Sequence, residues 1–314
     1  MKFFLRIRDE HQLHITASEY RKNEALGRCL AYAICPVRMS EDIVSDFQNK
    51  IKKAQMDEKK IIYIADLPDV LREKDAQDVG NALDKALESW ADGIVIHNID
   101  EIEMVKRCTR PCNDAEGFYI IGDSSLYAYN KEAIAFYKSI FPGMLFMAPD
   151  ELNDSELEVL DHEGDHIYKI YGRIKAMVTA QSMRGNYFDT AGNDNIENGN
   201  AVDGNVENCN IENGNIGNRK SSKCIVIASK QDRFICADEN FGYSCIYTDE
   251  PVNMLTDEDA QPYESVLADL SLESDDEIRA VLKGIANYAD GDIDANRQLF
   301  GIRVCSGHHY RGID

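Results

Sequence analysis

Short apolar runs separated by stretches of helical periodicity recur along the first 173 residues, and they constrain this chain more than any other feature. The runs fall at 3–7, 29–35, 61–65, 93–97, 118–121, 144–148 and 166–171, rich in Ile, Val, Tyr and Phe. Between them, 40–56 carries Ile43, Val44, Phe47 and Ile51 at helical spacing, and 130–140 carries Ala133, Ile134 and Tyr137 on one face. Strands alternating with helices predict right-handed βαβ units and a parallel sheet, because parallel neighbours need a crossover between them. Seven strands are close to a barrel count. The expected fold class is therefore α/β, a barrel-like or incomplete (β/α) barrel over 1–173.

Beyond 173 the pattern changes. Residues 188–219 are dominated by Asn, Gly, Glu and Asp, and Asn-Ile-Glu-Asn-Gly-Asn occurs at 195–200 and again at 210–215. Such a tract has too little apolar surface to offset its ordering entropy, so a disordered insertion is expected there. Strand patterns return at 224–228, 233–236, 243–247 and 299–304. Ser274 and Glu277 have capping-box spacing, ahead of a helix with Ile278, Val281, Leu282 and Ile285 on one face. The second expected unit, 174–314, is a small β-rich domain with one helix.

The formal net charge is −22. An acidic surface repels phosphate backbones, which lowers the expectation of nucleic-acid binding, although Arg303 and Arg311 would allow a local basic patch. No apolar stretch is long enough to span a bilayer, and the N-terminus is charged too early for a signal peptide. Cytoplasmic residence follows as the expectation. Nine cysteines, an odd number, then read as reduced thiols or metal ligands rather than as a disulfide framework.

Several residues have the chemistry for a site. Asp66, Asp123 and Asp150 stand at strand ends, where they would line a barrel mouth. Cys224, Cys236 and Cys245 lie within one short β-rich region as candidate soft metal ligands, the alternative being buried structural thiols. Cys108 and Cys112 are a further thiol pair without a second pair at zinc-ribbon spacing. His162-Glu163-Gly164-Asp165-His166 matches the His-Glu-x-x-His string of zinc proteases. That chemistry needs both histidines on one helix face, whereas Gly164 and Asp165 end a helix and His166 opens a strand.

Three segments, in order, carry a resemblance. Tyr171-Gly172-Arg173, followed by Met177-Val178 and Ser182, resembles a Tyr-Gly-Arg-x-x-x-Met-Val-x-x-x-Cys signature. Ile246-Tyr247-Thr248-Asp249-Glu250-Pro251 resembles an Ile-Tyr-Asn-Ser-x-Pro run. Ser306-Gly307-His308-His309-Tyr310-Arg311-Gly312-Ile313 is similar to a Thr-Gly-His-Phe-Tyr-Arg-Gly-Val ending. These are features of the peptidase U32 family, the collagenase-like peptidases, and the chain resembles the C-terminal portion of a long member. The resemblance implies a hydrolase acting on peptides, with His308, Arg311 and Glu273 as catalytic candidates. It also implies an iron–sulfur cluster held by cysteine thiolates, for which Cys224, Cys236 and Cys245 are the ligands on offer. Ser182 and Gly242 stand where members carry cysteine, which argues against that cluster. The family's central Glu-x-Phe signature with paired cysteines is missing, so a separate chain supplying an N-terminal U32 half is an expected partner. The alternative is a non-catalytic companion domain or subunit of a U32-type system that hydroxylates RNA or a small molecule, its cluster ligands lost.

Overall fold

The structure, a computed structural model, describes residues 1–52, 61–107, 117–160, 164–183, 205–208, 224–228, 233–239, 241–257 and 263–301. The chain divides into two compact units, 1–172 with 252–314 and, separately, 173–251. The expected C-terminal domain of 174–314 is thus shorter than anticipated, because everything from Val252 onward belongs to the first unit.

Seven of the first unit's strands lie where the sequence places them: β1 Lys2–Arg6, β2 Leu30–Pro36, β3 Ile62–Asp66, β4 Gly93–Ile96, β5 Tyr119–Gly122, β6 Leu145–Met147 and β7 His166–Gly172. They pair in parallel from β1 through to β7. The eighth barrel strand, Ser265–Asp269, enters after the second unit and pairs in parallel with both β7 and β1. The fold is therefore a closed eight-stranded parallel barrel. The eighth strand has only five residues, and some ninety residues of other sequence separate it from β7. Alternation alone did not reveal it.

Barrel closure sorts side chains by parity, since successive residues on a strand face opposite ways. Phe4, Ile34, Ile64, Val95, Ile121, Met147, Ile167 and Leu267, one from each strand, pack as a single buried cluster. Only the barrel interior lets residues from all eight strands meet. Phe4 stacks on Tyr32 with ring centroids 3.9 Å apart within that interior. The opposite parity, including Leu5, Ala65, Ile94 and Ala268, is also buried.

The helices alternate with the strands: α1 Glu10–Tyr20, α2 Glu24–Cys29, α3 Glu41–Lys52, α4 Glu73–Ser89, α5 Ile99–Arg107, α6 Lys131–Ile140 and α7 Asp154–Leu160. Their starts are written locally. The Asp9 carboxylate caps α1 by accepting from the Gln12 amide, and Asn130 caps α6 by accepting from the Ala133 amide. Val44, Phe47 and Ile51 are the buried stripe of α3. After the eighth strand come α8, Asp275–Ala289, and α9, Ile293–Phe300. Ser274 and Glu277 form the anticipated capping box of α8, whose Ile278, Val281, Leu282 and Ile285 are buried. The strand expected at 299–304 is not found where it is described, since Leu299 and Phe300 end α9. That helix is fixed by the Asp292 cap and by buried Asn296, which donates to the Leu255 and Gly284 carbonyls.

The second unit is a five-stranded antiparallel sheet: β8 Lys175–Thr179, β9 Asn205–Asn208, β10 Cys224–Ala228, β11 Arg233–Asp238 and β12 Ser244–Thr248, in the order β8-β12-β11-β10-β9. β9 falls inside the tract expected to be a disordered insertion. Its backbone pairs with β10 from Asn205↔Ala228 to Asn208↔Ile225, so main-chain hydrogen bonding orders a segment too polar to order itself by burial. The rest of 188–219 lies outside the described residues.

Gly172 explains one feature of the Tyr-Gly-Arg segment. Its φ is +136°, and a Cβ there would lie 2.8 Å from the Asp269 carbonyl oxygen of the eighth strand. The chain leaves the barrel at this residue and returns through β13, Val252–Asn253, which pairs antiparallel with the end of β7. Gly93 is tighter still: a Cβ there would meet the Tyr119 carbonyl oxygen at 2.4 Å and Ile64 Cδ1 at 2.7 Å. Gly93→Ala is expected to destabilise the barrel by about 1–3 kcal/mol. Gly80→Ala, in the interior of α4 with nothing within 4 Å, is expected to stabilise it by roughly 0.5–1 kcal/mol. Urea midpoints of the two variants check both signs.

Candidate functional site

At the C-terminal ends of the strands the inward parity turns from apolar to charged. Phe4 is followed two residues on by Arg6, Ile64 by Asp66, Val95 by His97, Ile121 by Asp123 and Leu267 by Asp269. All five charged or polar residues are buried. This is the end of a barrel where substrate sites are built, because loops from every strand converge there.

Arg6 organises the group. Its Nη2 donates to Asp123 Oδ2 at 2.8 Å and Asp66 Oδ1 at 3.3 Å, while Nη1 donates to Asp269 Oδ2 at 3.5 Å. Nε lies 3.2 Å from Asp66 Oδ2. Arg8 Nη2 donates to both Asp269 oxygens at 3.3 Å. Burial alone would lower the Arg6 pKa, but the Asp66, Asp123 and Asp269 charges outweigh it and hold the group above its ordinary value. Burial likewise works to raise Asp66. Arg6 and His97 prevail and keep its carboxyl below the usual range.

His97 is the second organiser. Its Nε2 lies 2.9 Å from Asp66 Oδ1. An ionised carboxylate only accepts, so this nitrogen carries a proton and donates. Nδ1 lies 3.1 Å from Asp69 Oδ1 and 3.6 Å from Asp123 Oδ1, and it has no hydrogen-bond partner among the described residues. Burial pulls the His97 pKa down; Asp123 and Asp69 more than offset this and raise it well above the ordinary histidine value. The turn that carries the ring is locked around Glu101. The Glu101 carboxylate accepts from the His97 amide at 2.6 Å and from Asn98 Nδ2, while Asn98 Oδ1 accepts from the Glu101 amide. Burial pushes the Glu101 carboxyl up to about 7.

The sequence candidates fare unevenly. Asp66 and Asp123 are brought together as barrel-mouth acids. Asp150 instead binds Lys169 at 2.6 Å, next to a contact between the Tyr129 hydroxyl and Glu151. Glu273 is buried between the eighth strand and α8, where its carboxylate accepts from the Leu272 amide. His308 and Arg311, like Cys108, Cys112, His162 and Glu163, lie outside the described residues. His166 opens β7, its ring between those of Phe146 and Tyr168.

In the second unit Cys236 and Cys245 are both buried. Cys236 is in register with Ile246, one step from Cys245, so strand alternation puts the two cysteines on opposite faces of the sheet. The structure therefore does not bring them together as ligands of one cluster. Cys224 is placed by its backbone, in register with Ala237. Ser182 Oγ donates to Asp238 Oδ2 at 2.6 Å, and Ser244 Oγ donates to the other oxygen of Asp238. Gly242 sits in the turn before β12 with φ +70°, a conformation that favours glycine.

Arg6, Asp69, His97 and Asp269 were not singled out from the sequence. For Arg6, His97 and Asp269 the available signal was a charged or polar residue two positions beyond an inward apolar one at a strand end, whereas Asp69 lies in the loop after β3. Truncating Arg6 to Met is expected to cost about 3–5 kcal/mol at neutral pH, because three carboxylates lose their buried cation. Asp66 contributes stability above its unfolded value near 3.8, and that contribution is lost as pH falls through its depressed folded value. The gap between wild type and Arg6→Met therefore narrows below about pH 4, as urea unfolding across pH would show.

Among the described residues, no helix is long and apolar enough to cross a membrane. No protein-family profile matches the chain, and no curated protein sequence matches it. Among solved structures, it is similar to a B. cereus protein described as uncharacterized, with 12% identity and a TM-score of 0.32, over 56% of this chain. That match spans 49% of the B. cereus protein, about half its length.

Proposed function

We propose that this chain is a barrel hydrolase whose chemistry is carried by the buried Asp66–His97–Asp123 group at the strand C-termini, with peptides as substrates. The single observation behind the reaction site is that buried cluster. Charges taken out of water are costly, and an assembly of them at a barrel mouth is the arrangement that poises acids and bases for catalysis. The peptide substrate comes from the resemblance to the peptidase U32 family. Amide hydrolysis needs a proton taken from water and one delivered to the leaving amine. An imidazole held by Asp66, with further carboxylates beside it, has the chemistry for those transfers.

Arg6 supports a peptide rather than a phosphodiester. Its guanidinium is committed to Asp66, Asp123 and Asp269, so it offers no clamp for a phosphate. The companion-subunit reading is favoured by one observation: Ser182 is built into an oxygen hydrogen bond with Asp238, where the family resemblance calls for a thiolate.

Quenched fluorescent peptide libraries and gelatin, incubated with the full chain, test the proposal. Cleavage is expected, and His97→Gln should lower kcat/KM by about 10²-fold or more while the far-UV spectrum stays native. Absence of cleavage, or cleavage equal in His97→Gln, would reject the hydrolase reading and leave the companion role.

A further inference from the structure

We infer that the barrel mouth is a divalent-cation site in which Asp69, His97 Nδ1 and Asp123 are the ligands and Asp66 orients the imidazole from behind. The inference deepens the hydrolase reading and rests on it for what the ion would do, not for its binding.

Three observations carry it. First, the ligand atoms of Asp69, His97 and Asp123 all lie within 4.8 Å of one another. Donors bonded to one metal at about 2.1 Å stand roughly 3.0–3.4 Å apart at octahedral or tetrahedral angles. The Nδ1 separations of 3.1 Å and 3.6 Å from the two carboxylate oxygens are close to such edges.

Second, His97 Nδ1 is aimed at these oxygens without a hydrogen bond to either, on a side chain only 1% exposed. With Nε2 on Asp66, only a proton or a cation can stand between Nδ1 and these two anionic oxygens, and a divalent ion would take the proton's place. The Asp66–His97 contact is the carboxylate–histidine arrangement that fixes tautomer and raises basicity in metal sites.

Third, three carboxylates, Asp66, Asp69 and Asp123, converge on the one buried His97 ring, and a cation held among them offsets their mutual repulsion away from water.

One imidazole and two carboxylates suit a borderline first-row ion such as Zn²⁺ or Co²⁺ better than Mg²⁺ or Ca²⁺, which prefer all-oxygen shells. Three protein ligands leave a coordination position for water. A bound ion there would lower that water's pKa or polarise an amide carbonyl, and His97, with Nδ1 on the ion and Nε2 on Asp66, would then hold the ion while the ion's water supplies the proton.

The test uses the full chain, stripped with chelator and titrated with ZnCl₂, MnCl₂ and CoCl₂, with metal content and heat of binding as readouts. A single ion per chain is expected. Asp69→Asn should weaken binding at least about tenfold, and Asp66→Asn about 10–100-fold through the lost orientation of His97. Asp69 is the safer position, because Asp66 and Asp123 also hold Arg6. At equal metal concentration the melting temperature of wild type should rise more than that of Asp69→Asn. The cobalt spectrum should lack a thiolate charge-transfer band. Binding unchanged by Asp69→Asn, or a thiolate band, would place the ion at the cysteines or elsewhere and overturn the inference. So would failure to bind any of the three ions. Peptide cleavage that persists in metal-free protein would overturn the ion's role and leave the hydrolase reading standing.

Discussion

The Arg6 guanidinium holds together elements that share little else at this end of the barrel. It sits on β1 and reaches Asp66 at the end of β3, Asp123 beyond β5 and Asp269 at the end of the eighth strand. A lone buried cation would be prohibitively costly, and three lone buried carboxylates more so; together they satisfy one another. The planar fork of donors on arginine fits this task, since it meets several carboxylates in one plane where an ammonium would not. The same contacts that join the closing strand to β1 also set the positions of the acids around His97. Stability and site geometry are thus one network, and a change made to improve either is felt by both.

The rest of the barrel is arranged to support that network. Inward apolar residues from all eight strands fill the interior below it, and the charged residues continue the same parity two positions further. Water is excluded from beneath, which strengthens each interaction in the layer above. Closure itself depends on a strand that returns after the second unit. Such a long insertion is tolerable because loop-closure entropy grows only with the logarithm of length. Its two ends are also pinned side by side, with Val252 in register with Gly172.

Much of the fold was legible in the sequence for reasons that are local. β1 to β7 are apolar runs between helices with amphipathic stripes, and the Ser274 cap sits next to the helix it starts. The eighth strand was not legible, because Ser265–Asp269 differs little from any short apolar run until it has β7 and β1 beside it. The site was only half legible. Asp66 and Asp123 could be named as strand-end acids, but Arg6 meets Asp269 across 263 positions of sequence and His97 meets Asp66 across 31. The first pairing comes from barrel closure and the second from the pairing of β3 with β4, and no local pattern encodes either. The cysteines show the converse. Cys236 and Cys245 look like neighbours in sequence, and the period of two along a strand sends them to opposite faces.

The acidity of the whole chain and the chemistry of the mouth point in one direction. A net charge of −22 depletes anions and enriches cations near the surface, and the mouth repeats that bias locally with more carboxylates than guanidiniums. A phosphodiester would have to approach against both fields and would find the Arg6 donors already committed. The electrostatics of the mouth therefore weigh against a polyanionic ligand.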